Sequence, residues 1–338
     1  MWEAPVKIQR TSVGLDVHAR SVVGCALDGE TGEVFQRRLS PDHREILDWV
    51  QRLPAPVAVT YEAGPTGFGL ARFLLASDIE CLVAAPSKLV RPSGDRVTTD
   101  ARAAAHLARP LHLGAAPPVC IPSVEREAAR DLVRAREDCR ADLMRARHRV
   151  SALLLRHDIL YSGGPTWTGA HEAWLGRQRF DAPPAQTAFD TALETMLATV
   201  DRRRRLDTAI AEMAVEGEFS AVVARLGCLR GVSTLTAFGL AVEIGDWSRL
   251  SGRAIGAYLG LVPTEYSSGQ SRTQGAITRT GNAHARRLLI EAAWHHRPKY
   301  QVRAVMRARW DKAPAAARAR GHEGNHRLHN RWVGFLTR

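Results

Sequence analysis

Apolar and polar positions change rhythm twice along this chain. In residues 11–110, short apolar runs alternate with amphipathic ones. Residues 12–17 and 21–27 are apolar and β-branched, and 33–39 follows a turn at Asp28-Gly29-Glu30-Thr31-Gly32. Three strands joined by tight connections are predicted there. Residues 41–52 carry Ile46, Leu47, Trp49 and Val50 on one helical side. A fourth strand is predicted over 57–61, a helix over 68–76, a fifth strand over 80–84 and a helix from Asp100 to about Arg109. Hairpin strands followed by alternating helices and strands form an α/β order.

The second rhythm is purely helical. From Val124 through Cys139, Leu143 and Val150 to Leu153, apolar or small residues recur at steps of three and four. A second seam runs through Phe189, Met196, Val200 and Ile210, after a Gly/Pro/Trp-rich stretch at 162–184. The two seams can pair within one chain as a helical coiled-coil arm, or with a second copy. From about residue 226 the composition changes again. Leu229-Arg230-Gly231-Val232-Ser233 resembles the turn of a helix-hairpin-helix, which offers backbone N–H groups to phosphate. Gly231 can equally be a plain helix C-cap. Three domains follow: 8–118 α/β, 119–215 a helical arm, and 216–338 mainly α.

Charge sharpens this picture. The 338 residues carry a formal net charge of +12. Residues 268–338 hold 15 Lys and Arg against 3 Asp and Glu, so the rest of the chain is neutral. Nearly all this excess is arginine, which forks onto phosphate, so a nucleic acid is the expected partner. A solubilising basic tail is the bland alternative, but Trp294, Trp310 and Trp332 lie among the arginines and suggest a folded or docking segment. Five scattered cysteines form no CxxC or zinc spacing and read as buried thiols in a reducing compartment. The first ten residues are no signal peptide, and the longest apolar stretch, within 231–242, is too short to span a bilayer. A cytoplasmic protein with no membrane partner is expected.

Three carboxylates stand out. Asp16 lies near the end of an apolar strand, where burying it is costly unless it is paired or binds a metal. Glu62 follows the fourth strand, and Asp100 opens a helix. The element order matches a ribonuclease H-like sheet, in which the first strand, the fourth strand and a later helix converge. Three acids there would make an oxygen-rich site suited to Mg²⁺ and to phosphoryl transfer. Each has a plain alternative: Asp100 as an N-cap, Glu62 as a turn residue. His18 reads as a surface or supporting histidine. Farther on, Ser267-Ser268-Gly269 sits between a Pro turn and a basic stretch holding Arg272, Arg279, Arg286 and Arg287. A hydroxyl there can meet phosphate beside arginine. A flexible Ser/Gly turn explains the same letters.

Read together, these blocks resemble the DEDD insertion-sequence transposases, a family of bridge-RNA-guided recombinases. Val13-Gly14-Leu15-Asp16-Val17-His18 carries the first match. Tyr61-Glu62-Ala63-Gly64-Pro65-Thr66-Gly67 and the Asp100 block carry the second. The third and most specific runs from Glu243-Ile244-Gly245-Asp246-Trp247 through Tyr258-Leu259-Gly260-Leu261-Val262-Pro263 and Ser267-Ser268-Gly269 to Ile277-Thr278-Arg279-Thr280-Gly281-Asn282. The resemblance implies a RuvC-like domain binding Mg²⁺ through Asp16, Glu62 and Asp100, and a C-terminal transposase domain. It also implies a nucleophilic serine, Ser268 with Ser267 as runner-up, that forms a phosphoserine link to DNA. It further implies a structured guide RNA from the element's own ends and a homo-oligomer, dimer or tetramer, on DNA. Arg272, Arg279, Arg286 and Arg287 are the expected nucleic-acid contacts.

Two departures from the family pattern stand out. The block Lys-Thr-Asp-x-x-Asp-Ala appears here as Thr98-Thr99-Asp100-Ala101-Arg102-Ala103-Ala104, so Ala103 replaces the fourth acid and Thr98 the lysine. Family members also usually continue past the Leu328-His329-Asn330-Arg331-Trp332 motif, whereas this chain stops at Arg338. Decay or alteration of the element is one expectation from these changes. On that view the chain is a relic that only binds RNA and DNA, and a plain RuvC-type nuclease is a further alternative.

Overall fold

Thr11–Val17 (β1) is covered on both faces, and its first five residues are buried. Strand pairing explains why. β1 runs antiparallel to Val22–Leu27 (β2), which pairs antiparallel with Val34–Leu39 (β3). On its other side β1 runs parallel to Val57–Glu62 (β4), and β4 runs parallel to Glu80–Ala84 (β5). The sheet order is therefore β3-β2-β1-β4-β5, with β1 at the centre. His43–Gln51 (α1), Gly69–Ala76 (α2) and Asp100–His112 (α3) complete this part. Such a mixed α/β sheet is compatible with the ribonuclease H-like order expected from the pattern. This computed structural model describes residues 10–89 and 99–337; Thr98 lies outside them. The chain divides into two units at Ser123/Val124.

Alternation along β1 assigns its faces. Val13 and Leu15 pack with Ile46, Trp49 and Val50 of α1 and with Leu70, Ala71 and Leu74 of α2. Gly14 points the other way, under α3. A methyl group on it would meet the Ala104 carbonyl oxygen at 2.1 Å and the Ala108 nitrogen at 2.5 Å. Only a residue without a side chain lets α3 come this close, and Asp16, two positions on, shares that face. Gly14→Ala should therefore lower stability by about 2–3 kcal/mol, because backbone cannot yield as a side chain can. Gly64→Ala, whose nearest neighbour would be 3.8 Å away, serves as the control. Urea unfolding of both variants checks this, and an unchanged midpoint for Gly14→Ala refutes it.

The second unit holds Val124–Arg156 (α4), Gly169–Leu175 (α5), Pro183–Met213 (α6), Ser220–Leu226 (α7), Thr234–Ile244 (α8) and Ala254–Tyr258 (α9). Strands Pro263–Ser268 (β6) and Ser271–Ile277 (β7) follow, then Ala283–Trp294 (α10), Ala304–Trp310 (α11) and Ala315–Leu336 (α12). The two helical seams meet within the chain. Leu143, Ala146 and Val150 of α4 share a core with Phe189, Met196 and Val200 of α6. Arg136 reaches Asp207 at 2.8 Å and Cys139 reaches the Thr199 carbonyl at 3.6 Å, so the helices run in opposite directions. Between α7 and α8 the chain turns at Gly231, with φ at +83°, and Ser233 caps α8 by accepting from the Thr236 N–H. A methyl group on Gly231 would meet the Ala292 carbonyl oxygen at 2.4 Å, so this glycine also serves packing against α10.

The ribbon β6–β7 departs from the expected Ser/Gly turn. Its side chains are mostly exposed on both faces, so it carries no alternating apolar pattern that would mark a strand. Four of the five thiols are buried, Cys120 alone being exposed, and burial pushes Cys81 up to about 12. Among the described residues no helix is long and apolar enough to cross a membrane.

Candidate active site

The acids of the first unit gather where β1 ends. Parallel register sets Leu15 beside Tyr61, so Asp16 and Glu62 occupy adjacent positions on neighbouring strands. Both face the side of the sheet covered by α3. The start of α3 completes the site. Thr99, not Asp100, is its N-cap, and the Thr99 hydroxyl accepts from the Arg102 N–H at 3.4 Å. Asp100 is thereby left outside the capping role that sequence alone allowed it.

One ligand atom each from Asp16, His18 and Asp100 lies within 4.8 Å of the others, the only such group found among the described residues. Two carboxylates and an imidazole at this spacing suit a divalent cation. The chemistry of the donors fits such an ion: Asp16 is half-buried, and His18 Nε2 lies 3.3 Å from its Oδ1. Glu62 is half-buried at the next position, outside that tight group. His18 is exposed and stands beside the acids, where the sequence allowed a surface or supporting histidine. Its place follows from a turn in which its backbone N–H donates to the Ser21 carbonyl at 3.0 Å, folding the end of β1 back.

The serine pair sits at the tip of the β6–β7 ribbon, where Ser268 faces Ser271 across the turn. Ser267 donates to Glu265 Oε1 at 2.8 Å, and Arg272 stands 3.4 Å from the same oxygen. Hydrogen bonds from Ser267 and Gln274, with Arg272 beside them, hold the Glu265 carboxyl below its usual range. Ser268 is exposed and its hydroxyl has no hydrogen-bond partner among the described residues, so it is open to a ligand. A tight crossing fixes the base of the ribbon. Gly260 has φ at +65° and Gly281 at +72°, and a methyl group on either would lie within 2.4 Å of backbone across the crossing.

Comparison with known proteins decides what these parts belong to. A DEDD transposase model of the IS110 type matches residues 13–158, and a model described as the transposase IS116/IS110/IS902 family matches 223–310. A Sinorhizobium fredii protein described as a transposase, y4qE, is 38% identical over 291 residues, covering 84% of this chain and 71% of its own length. The transposase for insertion sequence element IS1533 of Leptospira borgpetersenii is 29% identical over 334 residues, 96% of each chain. The chain belongs to the DEDD-type insertion-sequence transposases. Membership in this family implies a DNA substrate and an activity that cleaves and rejoins DNA.

The first match spans the acids of this transposase and the second spans its serine ribbon. Within the second, a buried carboxylate holds the ribbon base. Glu243 of α8 has a side chain 2% exposed. It accepts from Asn282 Nδ2 at 2.6 Å and lies 3.3 Å from His284 Nδ1 and 3.6 Å from Arg134. Asn282 in turn caps α10 by accepting from the Ala285 N–H. Burial pushes the Glu243 carboxyl up, but His284, Asn282 and Arg134 together outweigh it and leave the group below its ordinary 4.5. A depressed folded value means that its stabilisation is present above pH 4.5 and fades as pH falls through the lowered value. Glu243→Gln should therefore cost about 2 kcal/mol at pH 7, a gap that narrows on acidification below 4.5. Urea melts across that range check it, and a gap independent of pH would count against the role.

The four arginines expected to contact nucleic acid divide in two. Arg286 donates to the Leu259 and Thr280 carbonyls, and Arg287 pairs with Glu137 and Glu291, so both are engaged inside the unit. Arg272 and Arg279 lie exposed on or just after the ribbon.

Proposed function

We propose that the chain is the recombinase of an insertion sequence, with Mg²⁺ held by Asp16 and Asp100, assisted by Glu62 and His18, and Ser268 as nucleophile. The observation that carries this reading is the approach of Asp16, His18 and Asp100 to within 4.8 Å, at the end of the central strand of a sheet compatible with the expected order. An Mg²⁺ ion held by these residues would supply positive charge for phosphoryl transfer. The serine Oγ forms a bond to phosphorus as one P–O ester bond breaks. The proton of the hydroxyl ends on the released DNA oxygen, and the reverse attack by a DNA hydroxyl rejoins a strand. Arg272, next to the ribbon tip, can neutralise phosphate beside that hydroxyl, and Arg279, at the ribbon base, can meet phosphate farther along the strand. The reading includes a structured guide RNA and a homo-oligomer, both carried by the family likeness and, for RNA, by the arginine-rich C-terminal stretch.

Ala103 favours a second reading. It lies one helical turn after Asp100 on α3, at the position of the family's fourth acid, and supplies no ligand. A chain lacking that carboxylate holds metal more weakly and can persist as a nucleic-acid binder only. Cleavage of element-end DNA with cognate RNA and Mg²⁺ tests both readings. Ala103→Asp is expected to raise the cleavage rate roughly 10-fold or more, in line with the losses seen when support for a metal is removed. No cleavage by either form, with DNA binding intact, leaves the binder reading.

A further inference from the structure

Tryptophans and arginines interleave in the C-terminal stretch, and three of them meet. The guanidinium carbon of Arg297 lies 5.3 Å from the ring centroid of Trp294 and 4.9 Å from that of Trp332. Trp294 ends α10, and Trp332 stands near the end of α12. The two segments are also joined by His329 Nδ1, 3.0 Å from the His296 carbonyl. Trp294 keeps 57% of its surface in water, and Trp332 is partly covered. Ile290, one turn before Trp294, and Leu328, one turn before Trp332, are exposed as well.

We propose that Trp294, with Arg297 and Trp332, is a docking site for an unpaired base of a DNA strand. An indole with more than half its surface open offers a flat π-face, and a guanidinium over the same ring adds positive charge next to it. Nucleobases stack on such faces, and the phosphate of the same nucleotide meets the arginines. Charge selects this occupant over a second copy of the chain. Between Ala292 and Arg338 eleven Lys and Arg stand against two acids, Asp311 and Glu323, so two such surfaces repel each other. The base must be unpaired, because in a duplex both of its faces are already stacked. DNA is the strand because the family's substrate is DNA, and exchanging strands between duplexes leaves bases transiently unpaired. The inference rests on the DNA-processing reading above.

The test uses the full chain, an oligothymidylate of about 20 nucleotides and a duplex of about the same length. Trp294→Ala should weaken oligothymidylate binding roughly 10-fold, Trp294→Phe less than about 3-fold, and neither should change duplex binding more than about 2-fold. Tryptophan emission of the unaltered protein should be quenched by the oligonucleotide, and less so in Trp294→Ala. Trp294 is exposed, so both variants should melt with the unaltered protein. Equal losses on strand and duplex, or no loss, overturn the inference while leaving the function reading standing. Tighter binding of oligouridylate, lost with Trp294→Ala, assigns the site to RNA and overturns it as stated. Self-association lost with Trp294→Ala assigns the surface to a second copy and also overturns it. Binding of neither DNA by the unaltered protein removes the function reading and this inference together.

Discussion

Asp16→Asn is expected to reduce DNA strand cleavage by at least about 100-fold while leaving the fold intact. The magnitude follows from the role. Residues that merely support a metal ligand cost about 10–100-fold when replaced, and Asp16 is the central ligand of the proposed site. The fold should survive because the amide has the same shape and Asp16 is only half-buried, near the end of its strand. His18 would lose its carboxylate neighbour at 3.3 Å, a contact of small worth because the imidazole is open to water. Asp100→Asn should behave in the same way. His18→Ala should cost less, about 10-fold, because it leaves both carboxylates in place. Cleavage rates measured across a Mg²⁺ series separate lost affinity from lost chemistry: rates that recover at high Mg²⁺ point to affinity. Full activity of Asp16→Asn at low Mg²⁺ removes the acidic site from the mechanism.

The second large effect concerns the ribbon tip. A protein–DNA adduct trapped by denaturation during the reaction should form in the unaltered chain and vanish with Ser268→Ala. Ser267→Ala should retain it, with a reduced rate. Geometry separates the two hydroxyls. Ser267 is held by Glu265 at 2.8 Å, whereas Ser268 has no such partner and lies exposed at the turn. Glu265 is also a weak base, since its hydrogen bonds keep it ionised. If the adduct vanishes with Ser267→Ala and survives Ser268→Ala, the nucleophile is Ser267 and Glu265 positions it. If no adduct forms under conditions that cleave DNA, the chain works as a plain nuclease in which neither serine attacks phosphorus.

Much of the first unit was legible because burial writes a clear pattern. β1 is buried on both faces because it is the central strand, and its lone carboxylate stands out against that background. The three- and four-residue steps predicted a helix at 123–156; Val124–Arg156 is helical, and part of its seam packs against α6. What sequence could not show depends on contacts between distant residues. Asp100 looked like an N-cap because capping is local chemistry, and only the backbone shows Thr99 in that role. His18 could be read only as a surface or supporting residue, because its distance to Asp100 depends on where α3 begins. The ribbon left no trace because both of its faces are wet. Glu243 appeared only as one letter of a motif, and nothing local said that it would be buried against Asn282 and His284, some forty residues away. Arg286 and Arg287 looked like phosphate contacts because composition counts charges without their partners.

Binding of Mn²⁺ to the intact protein, followed by its electron spin resonance signal, tests the central claim most directly. A saturable ion should bind the unaltered chain, bind more tightly to Ala103→Asp, and disappear from both Asp16→Asn and Asp100→Asn. Binding that is indifferent to both aspartates would contradict a metal held where β1 ends and α3 begins.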